Sequence, residues 1–113
     1  MKRSLVFQIP FLAVAFHIAT AIEAPTALVS RAGDRSIVLH WDRNSEANLA
    51  GYHIYRSLGN TNSFTLLTPT LLNSPGYCDL TALNGQTNFY QVTAVDTGSQ
   101  ESLRSLQIGR AHV

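Results

Sequence analysis

Two histidines, His40 and His53, stand in separate alternating runs, and Asp42 follows the first of them. Imidazole nitrogens and carboxylate oxygens are the donors of a zinc site, and such a site needs three or four of them in one cluster. This chain offers two outward strand histidines and no third ligand, so solvated histidines are expected and no metal. The carboxylates Asp42, Glu46, Asp79, Asp96 and Glu101 are scattered over expected loops. Asp79 and Asp96 fit turn residues that accept backbone hydrogen bonds better than they fit an acid–base pair. Calcium would need a denser set of oxygens. No Ser/His/Asp set stands out, and no glycine-rich phosphate loop follows a strand and opens a helix. Arg31-Ala-Gly-Asp34 has one alanine too many for an integrin tripeptide. Cys78 is the single cysteine, so no internal disulfide can form. Neither His nor Lys lies beside it to activate its thiol, and it is expected as a half-buried strand residue. No catalytic residues, no enzymatic activity and no cofactors are therefore expected for this chain.

The chain has 113 residues, enough for one domain around a single core. A hydrophobic fraction of 45% suits a globular protein, and a formal charge of +1 gives no nucleic-acid surface. Met1-Lys2-Arg3 opens a segment that then runs from Leu5 to Ala21 without a charge and closes on Ala19-Thr20-Ala21. A basic start, an apolar middle and small residues at the cleavage positions make residues 1–21 a signal peptide. An uncleaved membrane anchor is the rival, since about 20 residues can span a bilayer. Either way the rest is expected outside the cytoplasm, secreted or in the cell envelope. The membrane is a partner only if the leader stays attached.

Beyond the leader, Ser36–Trp41, Gly51–Arg56 and Asn88–Asp96 alternate apolar and polar residues. Period-two alternation turns every second side chain to one face of a strand. One inward row carries Ile37, Leu39 and Trp41, a second Tyr52 and Ile54, a third Tyr90, Val92 and Ala94. Pro25–Ser30 reads as a first edge strand, and Ala32-Gly33-Asp34-Arg35 as a turn in which Gly33 takes positive φ. Asp42–Ala50 is expected to cross between sheets. Short strands are expected over Phe64–Leu67 and Tyr77–Leu80, and a turn at Leu83-Asn84-Gly85-Gln86. Turn signals every 8–12 residues and no helical period after the leader mark an all-β sandwich. Leu28, Tyr77 and Leu83 complete the expected core. Tyr55 and Phe89 point outward and form the expected contact surface.

Taken together, Pro25 and Leu28, Leu39-His-Trp41, Gly51-Tyr-His-Ile-Tyr-Arg56, Tyr77 with Asp79, Leu83-Asn-Gly85, and Val92-Thr-Ala-Val-Asp96 with Gly98 and Glu101-Ser102 form one pattern. Residues 25–107 with this pattern resemble a fibronectin type III domain, an immunoglobulin-like Greek-key β-sandwich. The GYxxYR and VTAVDxxGxES variants resemble modules of bacterial secreted and cell-surface proteins. The resemblance implies a non-catalytic spacer or protein-interaction unit, with neighbouring domains of the parent chain or an extracellular protein or polysaccharide as partners. The alternative it implies is a carbohydrate-binding accessory module of an extracellular polysaccharide-degrading enzyme. It also implies a tyrosine four residues before Val92, whose hydroxyl ties the strand to the preceding loop. Asn88 stands there, so the tie is expected to be missing and Asn88→Tyr to stabilise. Residues 108–113 match the translation of a common short-read sequencing adapter. They are expected to lie outside the fold, which leaves the last strand incomplete.

Overall fold

A computed structural model describes residues 22–111. The signal helix expected over residues 1–21 lies outside the described residues. Seven strands follow in order: β1 (Val29–Gly33), β2 (Ser36–His40), β3 (Leu49–Leu58), β4 (Thr65–Leu66), β5 (Gly76–Asp79), β6 (Thr87–Asp96) and β7 (Ile108–Ala111). They form two antiparallel sheets, β1-β2-β5 and β4-β3-β6-β7.

The alternating rows meet between the sheets. Ile37, Leu39, Trp41, Tyr52, Ile54, Tyr90, Val92 and Ala94 are all buried in one cluster. Across the β3–β6 pair, Tyr52 faces Ala94 and Ile54 faces Val92. Trp41 meets Tyr52 edge to face, with ring centroids 5.2 Å apart. Leu28 and Tyr77 pack partly buried against this cluster. Leu83 does not join it: it is 52% exposed, and Ala82 is buried in its place. The segment after Thr81 is irregular there, so no strand period carries Leu83 inward.

Gly51 sits where the register shifts between Leu49 and Gly51. A Cβ on it would lie 2.6 Å from the Leu72 carbonyl oxygen. Its bareness lets Tyr52 exchange backbone bonds with Leu72, at 2.9 and 3.0 Å. The expected first strand is shortened, because Ala27 takes φ 60 and delays extension until Val29. The turn between β1 and β2 is also tighter than expected. Gly33 stays in the ladder opposite Ser36, and Arg35 carries the positive φ of 56.

The C-terminal part corrects a further expectation. Ile108–Ala111 lies inside the fold as β7, paired with Thr87–Tyr90. Ahead of it, a non-strand segment still satisfies the outer side of β6. The Ser105 N–H donates to the Val92 carbonyl at 2.9 Å, and the Ser105 hydroxyl oxygen accepts from the Val92 N–H at 3.0 Å. Ser102 repeats both bonds with Ala94, at 2.7 and 2.9 Å. Three residues here cover the rise of two strand residues, about 7 Å. A hydroxyl therefore stands where a strand partner would present its carbonyl. Ser105→Ala leaves the buried Val92 N–H unpaired and should cost about 1–3 kcal/mol in urea unfolding. Ser105→Thr keeps the oxygen and should lose much less.

Candidate functional site

The outer face of the four-stranded sheet gathers the most polar chemistry. On β3, His53 and Tyr55 stand opposite Thr93 and Gln91 of β6. Glu101 reaches back over them, its Oε2 accepting from the Tyr55 hydroxyl and the Thr93 hydroxyl, each at 2.5 Å. Burial pushes the Glu101 carboxyl up, but the bonds from Thr93 and Tyr55 outweigh it and hold the group below its usual range. Burial first, and the Glu101 carboxylate second, push the Tyr55 phenol up. The Arg104 guanidinium lies 4.1 Å from the centre of the Tyr55 ring and 5.9 Å from that of Phe64. His53 Nδ1 lies 2.6 Å from the Thr68 carbonyl oxygen, to which it donates.

This face differs from the expected open aromatic surface. Arg104 occupies the face of Tyr55. Phe89 packs on Gly109, where a Cβ would fall 2.6 Å from its ring. Both aromatics are half-buried under the C-terminal segment. His40 and His53 are on β2 and β3, in different sheets, and are not brought together. Among the described residues, no group of three or more His, Cys, Asp or Glu side chains could hold a metal ion. Cys78 is exposed rather than half-buried, because β5 turns Asp79 inward and so turns its neighbour out.

Asp79, expected as a turn residue, is wholly buried. Its Oδ2 accepts from Arg56 at 2.9 Å and from the Tyr90 hydroxyl at 2.7 Å. Its Oδ1 accepts from the Thr81 N–H at 2.9 Å and the Thr81 hydroxyl at 2.6 Å. Burial raises its pKa, but these four bonds together hold it below the ordinary carboxylate range. Burial, and then the Asp79 carboxylate, push the Tyr90 phenol far up. Every lone pair of Asp79 is engaged, so the carboxylate has none left to take a proton from a substrate. Its role is to tie β5 to β3 and β6 across the two sheets.

Asn88 makes no hydroxyl tie to the preceding loop; a different bond, from the Tyr90 hydroxyl two residues later, reaches Asp79 at the end of β5. Asn88 is itself 1% exposed, and its amide nitrogen has no hydrogen-bond partner among the described residues. The expected gain from Asn88→Tyr reverses sign. A second ring beside Tyr90 would overpack the interior and should cost about 1–3 kcal/mol, read as a lower melting midpoint.

An apolar groove of about 340 Å³ runs between segments 25–28 and 105–108, lined by Pro25, Leu28, Leu106 and Ile108 among others. Leu106 lines it and is 92% exposed. Ile22 lies beside Leu103, at the end of the sandwich where the Glu23 N–H donates to Glu46 of the β2–β3 connection. Ala111 pairs with Thr87, at the other end of β6. The described chain therefore enters at one end of the sandwich and leaves at the other.

No family model and no curated protein matches this sequence. Solved structures do. An Fn3-like protein from Clostridium thermocellum is 25% identical with a TM-score of 0.71, over 83% of this chain and 96% of that one. A β-1,2-glucanase from Parabacteroides distasonis is 26% identical with a TM-score of 0.70, over 82% of this chain but only 13% of the glucanase. A myokine structure, 14% identical with a TM-score of 0.69, covers 81% of this chain and shares the fold alone. With its two antiparallel sheets and its buried tryptophan, the described chain has a fibronectin type III-like fold.

Proposed function

We propose that this domain is a non-catalytic spacer and contact module of a secreted or cell-surface protein. The observation that carries the reading is the placement of Ile22 and Ala111 at opposite ends of one sandwich. A domain so threaded holds whatever precedes it and whatever follows it a fixed distance apart. The exposed Leu106 in an apolar groove supports a contact role for the same edge. Energy transfer between dyes on cysteines placed at Glu23 and Arg110, with Cys78 replaced by Ser, tests the spacer. One narrow separation, unchanged by salt, is expected. A broad distribution would sink the reading. Export is tested by fusing residues 1–21 to a reporter that is active only outside the cytoplasm, and an inactive reporter would count against secretion.

The glucanase match favours one second reading, an accessory module of an extracellular polysaccharide-degrading enzyme. Electrophoresis in gels containing β-1,2-glucan separates the two. Retarded migration supports sugar binding, and unretarded migration supports the spacer.

A further inference from the structure

Asn84 and Gly85 form the exposed tip of the β5–β6 connection. Gly85 takes φ +84, and nothing lies within 4 Å of where its Cβ would be. Asn84 is latched to the turn between β1 and β2 by two bonds. Its Oδ1 accepts from the Arg35 N–H at 3.1 Å, and its Nδ2 donates to Asp34 Oδ1 at 3.0 Å. Arg35 is the residue held at φ 56, a conformation costly for any side chain other than glycine's hydrogen.

We propose that Asn84 is a site of spontaneous deamidation, and that its conversion releases this latch. The Gly85 nitrogen attacks Asn84 Cγ. The N–Cγ bond forms, the Cγ–Nδ2 bond breaks, and the proton lost from the Gly85 nitrogen leaves with ammonia. Water then opens the cyclic imide at Cγ to give aspartate, or at the Asn84 main-chain carbonyl to give isoaspartate. The Arg35 N–H already rests on the oxygen that gathers negative charge during the attack, as an oxyanion donor does. Aspartate replaces the donating Nδ2 with a carboxylate oxygen facing the Asp34 carboxylate, whereas isoaspartate loses Nδ2 outright, its Cγ now bonded to the Gly85 nitrogen and its free carboxylate on Cα. In the aspartate product a hydrogen bond becomes a like-charge contact. Isoaspartate also adds a carbon to the backbone where Gly85 turns it.

The full chain, held in mildly alkaline buffer and mapped by peptide mass, should convert at Asn84 roughly tenfold faster than at exposed Asn60, Asn62 and Asn73, whose next residues carry side chains that shield the attacking nitrogen. Isoaspartyl methyltransferase should label the same peptide, and Asn84→Gln should remove the label. Conversion at Asn84 no faster than at the other three would overturn the proposal, because the two bonds would then be shielding the amide. Asn84→Asp should melt below the parent, and adding Asp34→Asn should restore the midpoint. An Asn84→Asp protein that melts with the parent would overturn the release of the latch.

Discussion

Asp79→Ala is expected to cost about 3–5 kcal/mol, the range for removing one partner of a buried, hydrogen-bonded ion pair. The loss strands the Tyr90 hydroxyl and the Thr81 N–H and leaves the Arg56 guanidinium only its bond to the Thr81 hydroxyl. A small domain is stable by only about 5–15 kcal/mol, so the variant should unfold at markedly lower urea. Asp79→Asn keeps the volume and part of the bonding and should lose less. The pH dependence has a definite sign. The folded pKa of Asp79 lies below its unfolded value, so the stabilisation is fully present above the ordinary carboxylate pKa of about 4. It is lost as pH falls through the lowered folded value. Glu101 adds a smaller contribution of the same sign, discounted because that side chain is largely exposed. Melting midpoints should hold steady from neutral pH to about 5 and drop below about 4, and Asp79→Asn should flatten the drop.

Trp41→Ala should be equally damaging, at about 3–5 kcal/mol by the large-to-small rule for core aromatics. Trp41 is 4% exposed and lies against Tyr52, so its removal opens a void between the sheets. Its indole N–H has no hydrogen-bond partner among the described residues. Trp41→Phe therefore forfeits no hydrogen bond and should lose far less. A Phe variant as weak as the Ala variant would mean that an interaction of the indole nitrogen had been overlooked.

Periodicity made the sandwich legible. Ile37, Leu39 and Trp41, Tyr52 and Ile54, and Tyr90, Val92 and Ala94 sit at alternate positions, and a pleated strand must send them all one way. Where the backbone leaves that period, the sequence says little. Leu83 is as apolar as Leu39, but it follows an irregular segment and points to water. Asp79 is buried because three separate elements bring donors to it, and no local spacing records that meeting. Ser102 and Ser105 look like loop polar residues, and only their contacts with β6 reveal hydroxyls doing a carbonyl's work. The Tyr90 bond to Asp79 was not expected, for a plain reason. Asn88 and Tyr90 share one face of β6, and alternation alone cannot say which of them meets the carboxylate. Tyr55 and Phe89 do point away from the core, but alternation could not register the C-terminal segment that covers them.

The threading of the chain has a mechanical consequence. Tension applied through both ends would draw β1 upward from Ile22 and β7 downward from Ala111, each along its own axis. The bonds of the β1–β2 and β6–β7 ladders lie across that pull and would be strained together in shear, not peeled one at a time. Under load, the domain should give way abruptly and at a higher force than it would if pulled from two points at the same end.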